Sequence, residues 1–100
     1  MIKHIVVWKL MDQANGKTKG ENAVILKREL DSLKSKIKEI RKFEVGINET
    51  EGPDAYDLAL SAEFANKKDL ETYIKHPEHL KVAEIVGRAR QTRIVVDYEI

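Results

Sequence analysis

The segment Ile2–Leu10 alternates as a β-strand, yet both of its alternating sets are apolar at the centre. Ile2, His4, Val6, Trp8 and Leu10 share one side, and Lys3, Ile5, Val7 and Lys9 the other. A strand with one solvated face reads apolar inward and polar outward. This one does not, so the sheet it joins needs cover on both sides.

The rest of the chain provides helices for one side. Asp12–Gly20 is a polar loop with a turn at Asn15-Gly16. From about Thr18 to Arg41, the spacing of Leu26, Leu30, Leu33, Ile37 and Ile40 predicts one long amphipathic helix. Lys27, Arg28, Lys34, Lys36 and Lys38 form its solvated surface. Phe43–Asn48 reads as a second strand, in which Gly46 marks a bulge or a close backbone approach. Gly52-Pro53-Asp54 signals a turn. Tyr56–Phe64 is the third strand, with Tyr56, Leu58, Leu60, Ala62 and Phe64 on its large face. Asn66 caps a short helix, with Asp69 three residues on and Leu70, Tyr73 and Ile74 inward. A second short helix turns Leu80, Ala83 and Val86 inward and stops at Gly87. Arg93–Ile100 is the last strand, with Ile94, Val96, Tyr98 and Ile100 on one side and Arg93, Val95, Asp97 and Glu99 on the other.

Strand, helix, strand, strand, helix pair, strand describes an α+β, ferredoxin-like βαββααβ protomer with an antiparallel four-stranded sheet. The 100 residues leave room for a single domain, 1–100. The helices roof one face. The other holds Ile5, Val7, Ala59 and Val95 among charged strand ends, an uncomfortable surface in water. Two copies pairing face to face cover it, so the expected assembly is a homodimer whose sheets close around a shared interior.

Charge and composition narrow the function classes. Eighteen Lys and Arg against seventeen Asp and Glu leave a net charge of +1, which gives no electrostatic reason to expect nucleic acid or an anionic membrane as partner. No apolar run is long enough for a membrane span, and the N-terminus reads as a strand rather than a signal peptide. Cysteine is absent, which rules out disulfides and thiolate metal sites and makes the cytoplasm the default location. Ser32, Ser35 and Ser61 lie inside regular elements with no nucleophile elbow, and no phosphate-cradling glycine loop is present.

The chemistry concentrates in Tyr73-Ile74-Lys75-His76-Pro77-Glu78-His79. Proline disfavours helical backbone at the residue before it and suits the first turn of a new helix, so the segment predicts helix, kink, helix. A histidine beside a tyrosine can take a carbon-bound proton while the phenol holds the developing enolate. In that reading His79 is the base, Tyr73 the donor, and His4 points into the same cavity, with no cofactor needed. The structural alternative makes Tyr73 a packed aromatic, His76 or His79 a helix-end partner and His4 a core histidine. His76 and His79, with Glu78 and His4, offer nitrogen and oxygen ligands for a metal, but the segment lacks the second ligand cluster that zinc sites show, and no metal is expected.

Several segments together resemble the stress-responsive dimeric α/β-barrel family, often called Dabb. They are the opening Met1-Ile2-Lys3-His4-Ile5-Val6-Val7-Trp8-Lys9-Leu10, Gly46-Ile47-Asn48, Tyr56-Asp57-Leu58-Ala59-Leu60 before Phe64, the Tyr73 to His79 segment, and the closing Val96-Asp97-Tyr98-Glu99. The resemblance spans essentially the whole chain. It implies a ferredoxin-like protomer and a dimeric barrel. Many members have no assigned activity; one plant branch is a polyketide cyclase similar to olivetolic acid cyclase. That branch's catalytic tyrosine and histidine match Tyr73 and His79, and its first histidine matches His4. Leu58 stands where the branch has a further histidine, and Trp8 where it has a smaller cavity residue. The resemblance thus implies a pocket between sheet and helices, with His4, Trp8, His76 and Leu58 as ligand-binding positions. Two readings stay open: a binding module for a small hydrophobic or aromatic molecule, and a cofactor-independent cyclase-like enzyme.

Overall fold

The computed structural model describes residues 1–100. Its elements in chain order are β1 (Ile2–Leu10), β2 (Gln13–Ala14), β3 (Lys17–Thr18), α1 (Lys19–Asp31), a 3₁₀ turn (Ser32–Ser35), β4 (Ile40–Ile47), β5 (Leu58–Phe64), α2 (Lys67–Lys75), α3 (Pro77–Gly87) and β6 (Arg90–Glu99). The main sheet is antiparallel with order β4-β5-β1-β6. This is the expected α+β, ferredoxin-like arrangement, with the first strand central and the helices over one face.

The polar loop after β1 is a miniature hairpin. Asn15 and Gly16 both have positive φ, 56° and 73°, as a tight two-residue hairpin turn requires. Buried Asn22 on α1 donates its amide to the Ala14 carbonyl at 3.1 Å and ties helix to hairpin. Thr18 and Glu21 form a reciprocal capping box that fixes where α1 begins.

The single long helix is not formed. α1 ends at Asp31, where the Ser32 hydroxyl donates to the Glu29 carbonyl at 2.6 Å and the chain tightens to a 3₁₀ turn. Ile40 already belongs to β4, and a bulge between Ile40 and Lys42 adds one residue to that strand. The bulge puts Ile40 and Phe43 three residues apart on the helix-facing side. Ile37 and Ile40, also three apart, continue the helical spacing past the end of α1, which is why the apolar stripe overran its helix. The bulge therefore lies at Arg41 and not at Gly46, whose Cα faces open space.

The second correction concerns β6. Its register places Val95 opposite Val6, and Asp97 opposite His4, so both lie on the helix-facing side. Ile94, Val96 and Tyr98 face the other way, opposite Val7, Ile5 and Lys3. Val95 therefore does not belong to the open face. That face carries Ile5, Val7 and Ala59 together with Ile94 and Val96. β6 is an edge strand exposed on both sides, so apolar weight alone did not tell its inner row from its outer one.

The core lies between sheet and helices. Val6, Trp8, Leu10, Leu58, Leu60, Ala62 and Phe64 meet Leu26, Leu30, Leu33, Leu70, Tyr73, Val82 and Val86. Each fully buried large aliphatic or aromatic side chain contributes about 1.5–3 kcal/mol of transfer free energy. At the far end of β1, the Asp57 carboxylate accepts from the Leu10 N–H at 2.8 Å, and Lys19 stands 3.8 Å from it.

Candidate functional site

The break between α2 and α3 sets the site. His76 has ψ 135°, leaves the helix, and is at once the C-cap of α2 and the N-cap of α3. Pro77 takes the first position of α3, where no N–H partner is needed. The His76 Nδ1 accepts the Glu78 N–H at 3.0 Å, so this imidazole is used as a cap. The bend lets Tyr73, from the last turn of α2, and His79, from the first turn of α3, meet with ring centroids 4.5 Å apart.

Tyr73 is 1% exposed and sits in an aromatic cage. Phe64 lies 5.0 Å away, Phe43 6.2 Å, and His4 6.0 Å edge-on. Burial pushes its phenol well above the usual tyrosine range, with the Arg93 charge opposing. No protein group hydrogen-bonds its hydroxyl, and no buried polar side-chain atom is sealed off without a partner, so the hydroxyl opens to the neighbouring space.

His79 is half-buried. Its Nδ1–H donates to the Ile74 carbonyl at 2.9 Å, which leaves Nε2 as the free lone pair. Burial holds the ring below the usual histidine range; the Ile74 carbonyl opposes this, and His4, Arg93 and His76 add to the lowering. At neutral pH this is an uncharged imidazole with an available base. His4 is 2% exposed, and its Nδ1–H donates to Asp97 Oδ1 at 2.5 Å. The aspartate orients the ring and holds a proton on Nδ1.

These groups bound a cavity of about 190 Å³ between sheet and helices. His4, Trp8, Tyr73 and His79 line it, with Arg90 and Arg93 on the β6 side. Of the residues expected there, His76 and Leu58 are not in its wall. His76 is turned to its cap, and Leu58 packs at 1% exposure while Leu60 takes the lining place. The sequence reading missed Asp97, Arg90 and Arg93, and the signal that finds Asp97 and Arg93 is strand pairing. Antiparallel β1 and β6 set His4 against Asp97 and Trp8 against Arg93. A larger cavity of about 790 Å³ lies on the open sheet face beneath residues 48–56, away from these groups. No group of three His, Cys, Asp or Glu side chains is placed to hold a metal ion. No helix is long and apolar enough to cross a membrane.

Sheet order, helix placement and the cavity beneath the helix break define a ferredoxin-like α+β domain with an inner pocket. The chain belongs to the stress responsive A/B barrel domain family, Dabb, which it matches over residues 2–100. It is similar to an uncharacterized protein of Streptomyces coelicolor, 31% identical over 100 residues and covering 99% of each chain. It is also similar to a dimeric protein of unknown function with a ferredoxin-like fold from Bacteroides fragilis. That match is 36% identical, with TM-score 0.83, over 99% of this chain and 95% of the other. A hydroxynitrile lyase from Passiflora edulis shares the fold alone, at 16% identity and TM-score 0.79, over 99% of this chain and 92% of the other.

Proposed function

We propose that the protein is a homodimeric binding module whose protomers each hold one small ring-bearing molecule in the cavity of His4, Tyr73 and His79. The observation that carries this reading is the cavity itself: about 190 Å³, walled mostly by apolar side chains, with the polar groups of His4, Tyr73, His79, Arg90 and Arg93 facing it. An apolar cavity of about 150 Å³ accepts benzene, so one ring with a short substituent matches the volume. Pairing through Ile5, Val7, Ala59, Ile94 and Val96 removes the exposed apolar face, and the dimeric Bacteroides fragilis relative supports that assembly. The test is a thermal-shift titration with single-ring aromatics. A ligand of the folded state at a hundredfold excess over Kd adds about 2.7 kcal/mol of stability. Ala83→Phe, on the exposed side of the cavity wall, abolishes that shift without unfolding the protein. An undiminished shift in this variant places the ligand elsewhere.

The His79 tautomer favours a second reading, a cofactor-independent enzyme of the cyclase-like kind that moves a proton on a small carbonyl compound. Nε2 of His79 takes the proton from the carbon next to the carbonyl, and the Tyr73 hydroxyl donates to the enolate oxygen as charge develops there. A cavity of this size suits a compact substrate and not an extended polyketide chain. Deuterium exchange into the α-carbon of a small aryl ketone, followed by NMR, tests it. Exchange lost in His79→Ala with the dimer still folded supports catalysis; loss of stability with unchanged exchange makes His79 structural.

A further inference from the structure

Arg90 and Arg93 stand on one wall of the His4–Tyr73–His79 cavity, and neither makes a salt bridge within the protein. The other arginine of this region, Arg88, is already taken by Glu84 at 2.9 Å. No aspartate or glutamate lines the cavity. The one carboxylate beside it, Asp97, is engaged by His4. The remaining ionisable groups facing the space are His4, His79 and Tyr73, so the one negative charge near the two guanidiniums is Asp97, which is held by His4 and lies outside the cavity wall. Their rigid forks match a carboxylate with two parallel hydrogen bonds. The inner end, between Trp8, Leu60, Val82 and Val86, is apolar.

We propose that the ligand of this cavity is a single-ring carboxylate, its ring against the apolar inner end and its carboxylate on Arg93 and Arg90 at the mouth. The inference rests on the ring-binding cavity proposed above and adds the charge of the ligand. Both arginines are exposed, so the attraction is partly screened and weakens with salt.

The experiment compares benzoate with benzamide, a neutral molecule of nearly the same shape, by calorimetry on the full chain. Benzoate binds about tenfold more tightly at low salt. Arg90→Gln/Arg93→Gln erases that preference by lowering benzoate affinity to about that of benzamide, with an unchanged melting temperature of the unliganded variant showing that it is folded; Arg93→Lys keeps part of the preference. Equal affinity for the two probes, or a preference that survives in the double variant, overturns the carboxylate assignment and leaves the ring-binding cavity standing. Binding of neither probe overturns both.

Discussion

His4 on β1 and Asp97 on β6 occupy directly opposed positions of neighbouring strands, and the pairing delivers the Asp97 carboxylate to His4 Nδ1. The imidazole side chain is 3% exposed and the carboxylate 40% exposed. The histidine therefore depends on its partner far more than the reverse. Asp97→Ala strands a buried N–H and lowers stability by about 1–2 kcal/mol. Asp97→Asn, whose amide oxygen still accepts, loses less. Urea titrations with unchanged slope and a lower midpoint check the difference.

The open sheet face makes a prediction of its own. Ile94 and Val96 are 44% and 50% exposed in the protomer and neighbour Val7 and Ile5 across the strand pair. A glutamate at Val96 places a charge in the middle of that patch, and burying it unpaired between two sheets costs several kcal/mol. Val96→Glu is expected to elute as a monomer, with wild type a dimer in light scattering. Val95→Glu, on the opposite side of the same strand, leaves the dimer intact. A dimer unaffected by both changes rules out the face-to-face assembly.

How far the sequence alone carries depends on which residues are constrained by neighbours in the chain. Asn66 accepts the Asp69 N–H at 2.8 Å, and His76 leaves the helix before Pro77, both as local rules dictate. The inner row of β5 is legible because Leu58, Leu60, Ala62 and Phe64 are all buried. What fails is decided at long range. Ile40 joins a strand because a bulge lets it face the core opposite Phe64. The inner row of β6 carries Asp97 and Arg93 beside Val95, because Asp97 pairs with His4, 93 residues away in sequence, and Arg93 lies by the cavity. The pocket's polar wall thus comes from cross-strand pairing, which a single strand's alternation does not encode.

His76 tests the hinge. Its ring nitrogen satisfies an otherwise open N–H at the start of α3. Removing an N-cap side chain costs about 1 kcal/mol, and asparagine caps at least as well. His76→Ala is expected to lose about that much in thermal or urea unfolding, and His76→Asn to lose little. Ligand binding in His76→Asn stays at the wild-type level, because this side chain is outside the cavity wall; weakened binding there returns His76 to the site.

Acid provides the sharpest test of His79. Its folded-state pKa lies below the ordinary histidine value of 6.5, chiefly through burial. Well above pH 6.5 neither the folded nor the unfolded chain holds the extra proton, and the histidine has no effect on the pH slope. As pH falls below 6.5 the unfolded chain takes up that proton first, so it binds more protons than the folded one and stability falls. The loss continues until pH passes the folded-state value, where the slope vanishes. Unfolding free energies measured between about pH 7 and 5 are expected to decline in wild type and to decline less in His79→Gln, which keeps an amide N–H for the Ile74 carbonyl. Identical slopes in the two proteins show a solvated His79 that titrates alike in the folded and unfolded chain, and the burial that lowers its pKa falls with them.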